Sequence, residues 1–348
     1  MVNVLKAMIE GCGDTLDAIY IAGDLFEDSR YLRQADTHEA IGFITWLLVW
    51  CKSTNTALRV TEGTPSHDHG QSKMLEHANL AIGADCLFLD KIGIFYDEAI
   101  QATVGWVQDE YKAANADTIN ALATEQEMAQ LMATRCLEKV DFFFMHGCFT
   151  FQLPVESPRS FNEEFWLSRV KHGIYIGHDH RRKTKDAITV TGSVERLSHG
   201  EEETKGMTIV DFNDTVVRNW FYENPNACPH RKVGLMDDYD KQYQACLDAL
   251  RFIDEHPSSH IGRFAVEYHA GSPLAEHVIR WKKEYPFLIE GKKLPSPEEE
   301  AVLQQAFDIN MPAQPSITLE NIESITMERM ASINHDANVA SDIVRSLL

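Results

Sequence analysis

Strand-forming runs alternate with helical stretches from the amino terminus to residue 222, and this alternation constrains the fold more than any other feature. It is the pattern of a layered α/β domain, in which sheets bury their faces against helices. The strand runs are "DAIYIAG", "ALRVTEG", "CLFLD", "IGIFYD", "VDFFFMHG", "GIYIGH", "AITVTGS", "GMTIVDF" and "VVRNWFY". The opening "MVNVLKAMIEGCGD" reads as a helix. After "FYENPNACPH" the texture changes to long helical segments with one strand-like interlude, "GRFAVEYHAG", which places a boundary near residues 225–235. Three regions are therefore expected: 1–225, a layered α/β domain; 226–310, a smaller α+β or helical region; and 311–348, a carboxyl-terminal helical segment. In that last segment Leu319, Ile322, Met330 and Ile333 have spacings that a helix gathers on one face, either to pack its own core or to dock a partner.

Several strand runs end at polar groups. Asp24 follows "DAIYIAG", where open α/β sheets place their ligand-binding carboxylates. His146 ends the apolar run "FFFM", and an imidazole there needs a hydrogen-bond partner or a metal. In "YIGHDHRRK", His178 and His180 alternate on an extended backbone and are expected to point to one side as a pair of nitrogen ligands, with Gly177 allowing close backbone approach. "EGTPSHDHG" adds His67, Asp68 and His69 after a turn; His67 suits an acid or a ligand, with Asp68 orienting its ring. Mixed carboxylate and imidazole donors suit zinc, manganese or iron better than calcium.

Composition narrows the partners without naming one. The net charge of −21 disfavours a protein that coats nucleic acid by counterion release, although it leaves room for a local basic groove. Arg181, Arg182, Lys183 and Lys185 supply the local basic run for phosphate contacts. The seven cysteines are scattered rather than paired closely, which points to reduced thiols and a cytoplasmic protein. The most apolar stretch, "AIGFITWLLVWC", is shorter than the ~20 residues a membrane helix needs and is expected to be a buried core helix.

The order "GDLFED", "GTPSHD", "FMHG", "GHDH" resembles the calcineurin-like metallophosphoesterases, whose motifs run D-x-H, G-D, G-N-H-D, H and G-H-x-H. The continuation "GSVERLSHGEEETKGMTIVDF" is similar to that of SbcD-like nuclease subunits, so the resemblance spans roughly residues 15–222. It implies a layered β-sandwich flanked by helices, with 1–225 as the nuclease domain and 226–310 as a capping domain. It also implies two divalent metals, manganese being the expected ion, that clamp a phosphodiester while an activated water attacks phosphorus. Carried over motif by motif, Asp24 bridges the metals, His146 and His178 complete one of them, and His180 belongs to the other. His67 matches the histidine that protonates the leaving oxygen or stabilises the transition state, Asp68 matches its orienting partner, and Arg181, Arg182 and Lys183 are the substrate contacts. The implied partners are DNA and an SbcC-like ATPase held by the carboxyl-terminal helices, and such proteins commonly pair as homodimers; none is a membrane.

Two positions depart from the family pattern. Ser66 stands where the metal-binding asparagine belongs, with two extra residues after Gly63, so either His67 moves onto the metal or water takes the place. The D-x-H motif has no counterpart upstream of "DAIYIAGD"; "DTH" at 36–38 follows Asp24 and opens the next helix instead. One metal site is therefore expected to be weakened and the chain to be an amino-terminally shortened form. The site residues fit a nuclease, a small-substrate phosphodiesterase or phosphatase, or a catalytically impaired scaffold for an ATPase.

Overall fold

The computed structural model describes residues 2–296 apart from 14, 27–33, 69, 110–120, 156, 198–200 and 214–215, together with 299. The expected segment 311–348, with Leu319, Ile322, Met330 and Ile333, lies outside the described residues, as does His69. The first elements are α1 (Val2–Gly11), β1 (Ala18–Ala22), α2 (Gln34–Thr54), β2 (Ala57–Thr61), α3 (Pro65–Asp68), α4 (Met74–Ile82) and β3 (Cys86–Leu89). Then come β4 (Gly93–Asp97), β5 (Ala102–Val107), α5 (Ala121–Thr134), β6 (Val140–Gly147), α6 (Glu163–Leu167), β7 (Val170–His178), β8 (Lys183–Lys185) and β9 (Ile188–Val190). The chain continues with β10 (Gly206–Asn213), β11 (Val216–Glu223), β12 (His230–Val233), α7 (Tyr239–Asp254), β13 (Arg263–His269), α8 (Leu274–Glu284) and β14 (Leu288–Leu294).

The strands form four sheets: β1-β2-β3, β4-β5-β6-β7-β9-β8, β10-β11 and β12-β13-β14. The first is parallel throughout. In the second, β5, β6, β7 and β9 are parallel, while the edge strands β4 and β8 run antiparallel to their neighbours. What forms is a mixed α/β architecture with helix-flanked sheets, and among the described residues no sheet closes into a sandwich or barrel. The first two sheets approach through side chains rather than through backbone pairing: the Tyr20 ring of β1 stacks on Phe144 of β6 with centroids 3.7 Å apart.

Alternation along β6 explains where the core and the site lie. Phe143 and Met145 join Met128 and Met132 of α5, Trp166 of α6, and Ile174 and Ile176 of β7 in one apolar cluster. Phe142 and Phe144 emerge on the other face, with Tyr175 and the β10–β11 hairpin. His146 has the parity of Phe142 and Phe144, so it belongs to the face that meets β1. The apolar run "AIGFITWLLVWC" lies in α2, whose Phe43, Ile44, Leu47, Leu48 and Cys51 pack on Leu58 and Val60 of β2. No helix of the described residues is long and apolar enough to cross a membrane.

By compactness the chain divides into two units: Met1–Val266 with Val278–Glu290, and a second that begins with Glu267–His277 and resumes at Gly291. Within the first, α7 is capped by the Asp238 side chain on the Lys241 amide and buries Cys246, Leu250 and Ile253. Within the second, the Ala270 amide bonds the Leu294 carbonyl at 2.8 Å.

Candidate metal centre

Asp24, His146 and His178 come together, with one donor atom of each lying within 4.8 Å of the others. His146 is fully buried, and its Nδ1 lies 2.5 Å from the Ala22 carbonyl at the end of β1. That bond fixes Nδ1 as the protonated nitrogen and leaves Nε2 facing the cluster, the arrangement by which a backbone carbonyl orients a ligating histidine. Nε2 lies 3.1 Å from Asp24 Oδ2 and 3.3 Å from His178 Nδ1. Donors on a first-row divalent ion with bonds of about 2.1 Å are spaced about 3.0 Å at octahedral and about 3.4 Å at tetrahedral angles. The observed spacings match such edges, so the residues present fit a divalent transition ion.

Backbone geometry at two of these residues departs from the strand pattern. Gly23 and Asp24 both take positive φ, +79° and +50°, and fold the chain sharply past the end of β1. Asp tolerates this region better than most residues. A Cβ at Gly23 would also collide with the His146 ring, so the corner needs glycine for space as well as for conformation. His178 stands at φ +97°, where a non-glycine residue is strained. Simple alternation would carry it to the face of Ile174 and Ile176; the positive φ ends the alternation and is compatible with its approach to His146. The extended backbone of β7 stops at His178, and the charge of His180 acts on His178 from just beyond it. His180 also lies 3.0 Å from Glu201 through Nδ1. Close approach at Gly177 holds: a Cβ there would meet the Ala22 carbonyl.

Thr64 is the hub that the sequence reading missed. Its amide donates to Asp24 Oδ1 at 2.7 Å. Its hydroxyl lies 3.4 Å from Asp24 Oδ2, 3.0 Å from Asp109 Oδ2, 3.3 Å from His146 Nε2 and 3.2 Å from His178 Nδ1. Asp109, just beyond β5, was missed as well, because "ATVGWV" was not read as a strand and so its end carried no significance. The signal was present: a carboxylate two residues after an apolar run.

His67 and Ser66 lie in α3, where the His67 amide bonds the Thr64 carbonyl at 2.9 Å; the Ser66 side chain is outside the described residues. His67 is close enough for its charge to act on Asp24. Asp68 is fully buried, its oxygens accepting from the Phe26 amide at 3.0 Å and the Gly63 amide at 2.7 Å. It thus ties the loop that carries Asp24 to the loop that carries Thr64. Burial, the largest influence, pushes the Asp68 carboxyl up.

Burial also works against ionisation of Asp24, but the hydrogen bond and charge of His146 and the Thr64 amide outweigh it and hold Asp24 down at about 2. His146 feels the counterpart: burial favours its neutral form, and Asp24 overrides that and raises it. His178 is pushed down by burial and then by its neighbour His146.

The basic run is largely engaged locally. Lys183 lies 2.8 Å and Arg181 3.5 Å from Asp179, Arg182 covers the Phe221 ring, and Lys185 lies 3.4 Å from Glu163. Arg196 bonds the carbonyls of Ala227, Cys228 and Glu203, while Glu201 pairs with buried Lys205 at 2.8 Å. One Asp/His/His cluster, a single candidate metal centre, is found among the described residues. No protein-family model matches the chain, and no curated protein matches it.

Proposed function

We propose that this chain is a metal-dependent hydrolase of phosphodiesters, with DNA as substrate, of the calcineurin-like and SbcD-like kind. The observation that carries the reading is the convergence of Asp24 Oδ2, His146 Nε2 and His178 Nδ1 beside Thr64. The motif order "GDLFED", "GTPSHD", "FMHG", "GHDH" supports phosphorus as the reacting centre. An ion held there supplies positive charge to the phosphoryl oxygens and lowers the pKa of water. His146, fixed through Ala22, and Asp24, fixed through the Thr64 amide, hold their donor atoms ready without reorganisation. In the reaction water gives up a proton to solvent as its oxygen bonds to phosphorus, the bond from phosphorus to the leaving oxygen breaks, and His67 gives that oxygen a proton that it regains from solvent. Asp68 keeps the loops that carry Asp24 and Thr64 in register.

Two manganese ions, an SbcC-like ATPase bound by residues 311–348, and a homodimer belong to the same proposal. Metal counting per chain tests the second ion, for which Asp24 and His180 are the named donors.

A second reading, a stand-alone enzyme for small diesters, draws support from the net charge of −21 and from the pairing of Arg181 and Lys183 with Asp179. Manganese-dependent turnover of linear duplex DNA is to be compared with that of a small chromogenic diester, in wild type and in His146→Ala. DNA cleavage lost in the variant is the expected result. Diester turnover without DNA cleavage selects the second reading, and no turnover of either leaves a scaffold.

A further inference from the structure

We infer that the side-chain hydroxyl of Thr64 is the neutral oxygen ligand of the ion held by Asp24, His146 and His178. The inference rests on the metal centre proposed above and deepens it. Thr64 Oγ1 lies 3.4 Å from Asp24 Oδ2, 3.3 Å from His146 Nε2 and 3.2 Å from His178 Nδ1. His146 Nε2 lies 3.1 Å from Asp24 Oδ2 and 3.3 Å from His178 Nδ1. Donor atoms of Asp24 and His178 are within 4.8 Å of each other. Corners spaced by about 3.3 Å surround a centre about 2.0 Å from each, the bond length of a first-row divalent ion to oxygen or nitrogen.

As hydrogen bonds these three contacts of the hydroxyl are long, since such a group usually sits about 2.7–2.8 Å from an oxygen acceptor. The hydroxyl also has a single proton to give. Its nearest acceptor is Asp109 Oδ2, at 3.0 Å. A proton donated there leaves both lone pairs of Oγ1 for other partners. A cation among the four donor atoms takes an electron pair from each, and threonine or serine hydroxyls hold divalent ions in this way in phosphate-binding loops.

The hydroxyl is also held in place. The Thr64 amide donates to Asp24 Oδ1 at 2.7 Å, and the Thr64 carbonyl accepts from the amides of His67 and Asp68 at 2.9 and 3.0 Å where α3 begins. A β-branched side chain on a fixed backbone has little freedom at χ1. Thr64 is 9 % exposed, so little water competes for the position. The neutral donor is thus Thr64 rather than Ser66, His67 or water, the occupants expected from the sequence.

Calorimetric titration of the full, chelator-stripped chain with manganese tests this. Thr64→Val replaces the hydroxyl by a methyl group of similar size and keeps the amide that holds Asp24. It is expected to bind manganese about tenfold or more weakly than wild type, whereas Thr64→Ser, which keeps the hydroxyl, stays within about threefold. At saturating manganese, solvent-proton relaxation counts the waters on the ion. It is expected to be faster in Thr64→Val, because water fills the position that the hydroxyl left; a residue that only orients its neighbours would not change that count. Thr64→Ala serves in the same two measurements if Thr64→Val loses its native circular dichroism. A smaller loss of affinity in the hydroxyl-free variant, an unchanged relaxation rate, or an equal loss in Thr64→Ser each overturns the assignment of Thr64. Failure of wild type itself to bind, or binding undiminished in His146→Ala, overturns the three-residue centre instead.

Discussion

Two polar clusters both draw on β1 and β2 or the residues just beyond them, and they solve opposite problems. Arg59 of β2 donates through Nε and Nη2 to both oxygens of Asp97, each at 2.8 Å, and through Nη1 and Nη2 to Asp85 at 2.9 and 3.1 Å. Tyr20 of β1 adds its hydroxyl to the same Asp97. Donors there meet acceptors along a rigid fork, all on backbone of regular strands or their ends. Around Thr64 the inventory is reversed: carboxylate oxygens and ring nitrogens converge, and Asp24 and His178 hold strained backbone to reach the place. A buried network that closes on itself stabilises a fold. One that gathers acceptors leaves them to be offset by a cation, and the strained φ at His178 is of the kind found at such sites.

The largest effect that would break this contrast comes from removing the cation that is already built in. Arg59→Ala strands the fully buried Asp97, whereas exposed Asp85 returns to water, and is expected to cost about 3–5 kcal/mol in chemical denaturation. A loss under about 1 kcal/mol would mean that the Arg59 cluster is not the structural one. Next is the cation that is not built in: manganese at a hundredfold excess over its dissociation constant should stabilise the chain by about 2.7 kcal/mol. The same addition should do nothing for His146→Ala, and an equal gain in that variant would place the ion elsewhere.

The smallest effect is one of pH. Burial tends to raise the Asp97 carboxyl, but Arg59 and Tyr20 outweigh it and hold it below its ordinary 3.8. A carboxyl lowered in the fold contributes stability that is fully present above 3.8 and is lost as pH falls through the lowered value. Stability measured just under pH 3.8 should therefore begin to decline in wild type and decline less steeply in Asp97→Asn. Equal slopes would remove Asp97 from the account.

Period and strand ends made much of this legible. The runs quoted for β1, β2, β3, β4, β6 and β9 each contain the strand that forms, and those for β7, β10 and β11 lie within theirs. His146 stood out because an imidazole closing "FFFM" breaks an apolar run. What escaped has physical reasons. β5 carries Gly105, which lets the Phe143 ring lie where a side chain would project, and the same glycine weakens the strand signal. β8 and β12 are short, and β14 is polar, so their hydrogen bonds come from neighbours rather than from propensity. Thr64 reads as an ordinary turn residue; only the approach of four separate segments gives its hydroxyl a role. The φ of His178 is set by tertiary contacts and has no local signature.

The bonds that assemble the centre join residues far apart in the chain: 40 between Asp24 and Thr64, 114 between Thr64 and His178, and 124 between Ala22 and His146. Loops of that length close late, after local helices and hairpins have formed. During synthesis a nascent chain that has not yet emerged through β7 holds Asp24 and Thr64 without the His178 imidazole. An ion captured at such a centre would thus report the completion of folding rather than guide its beginning.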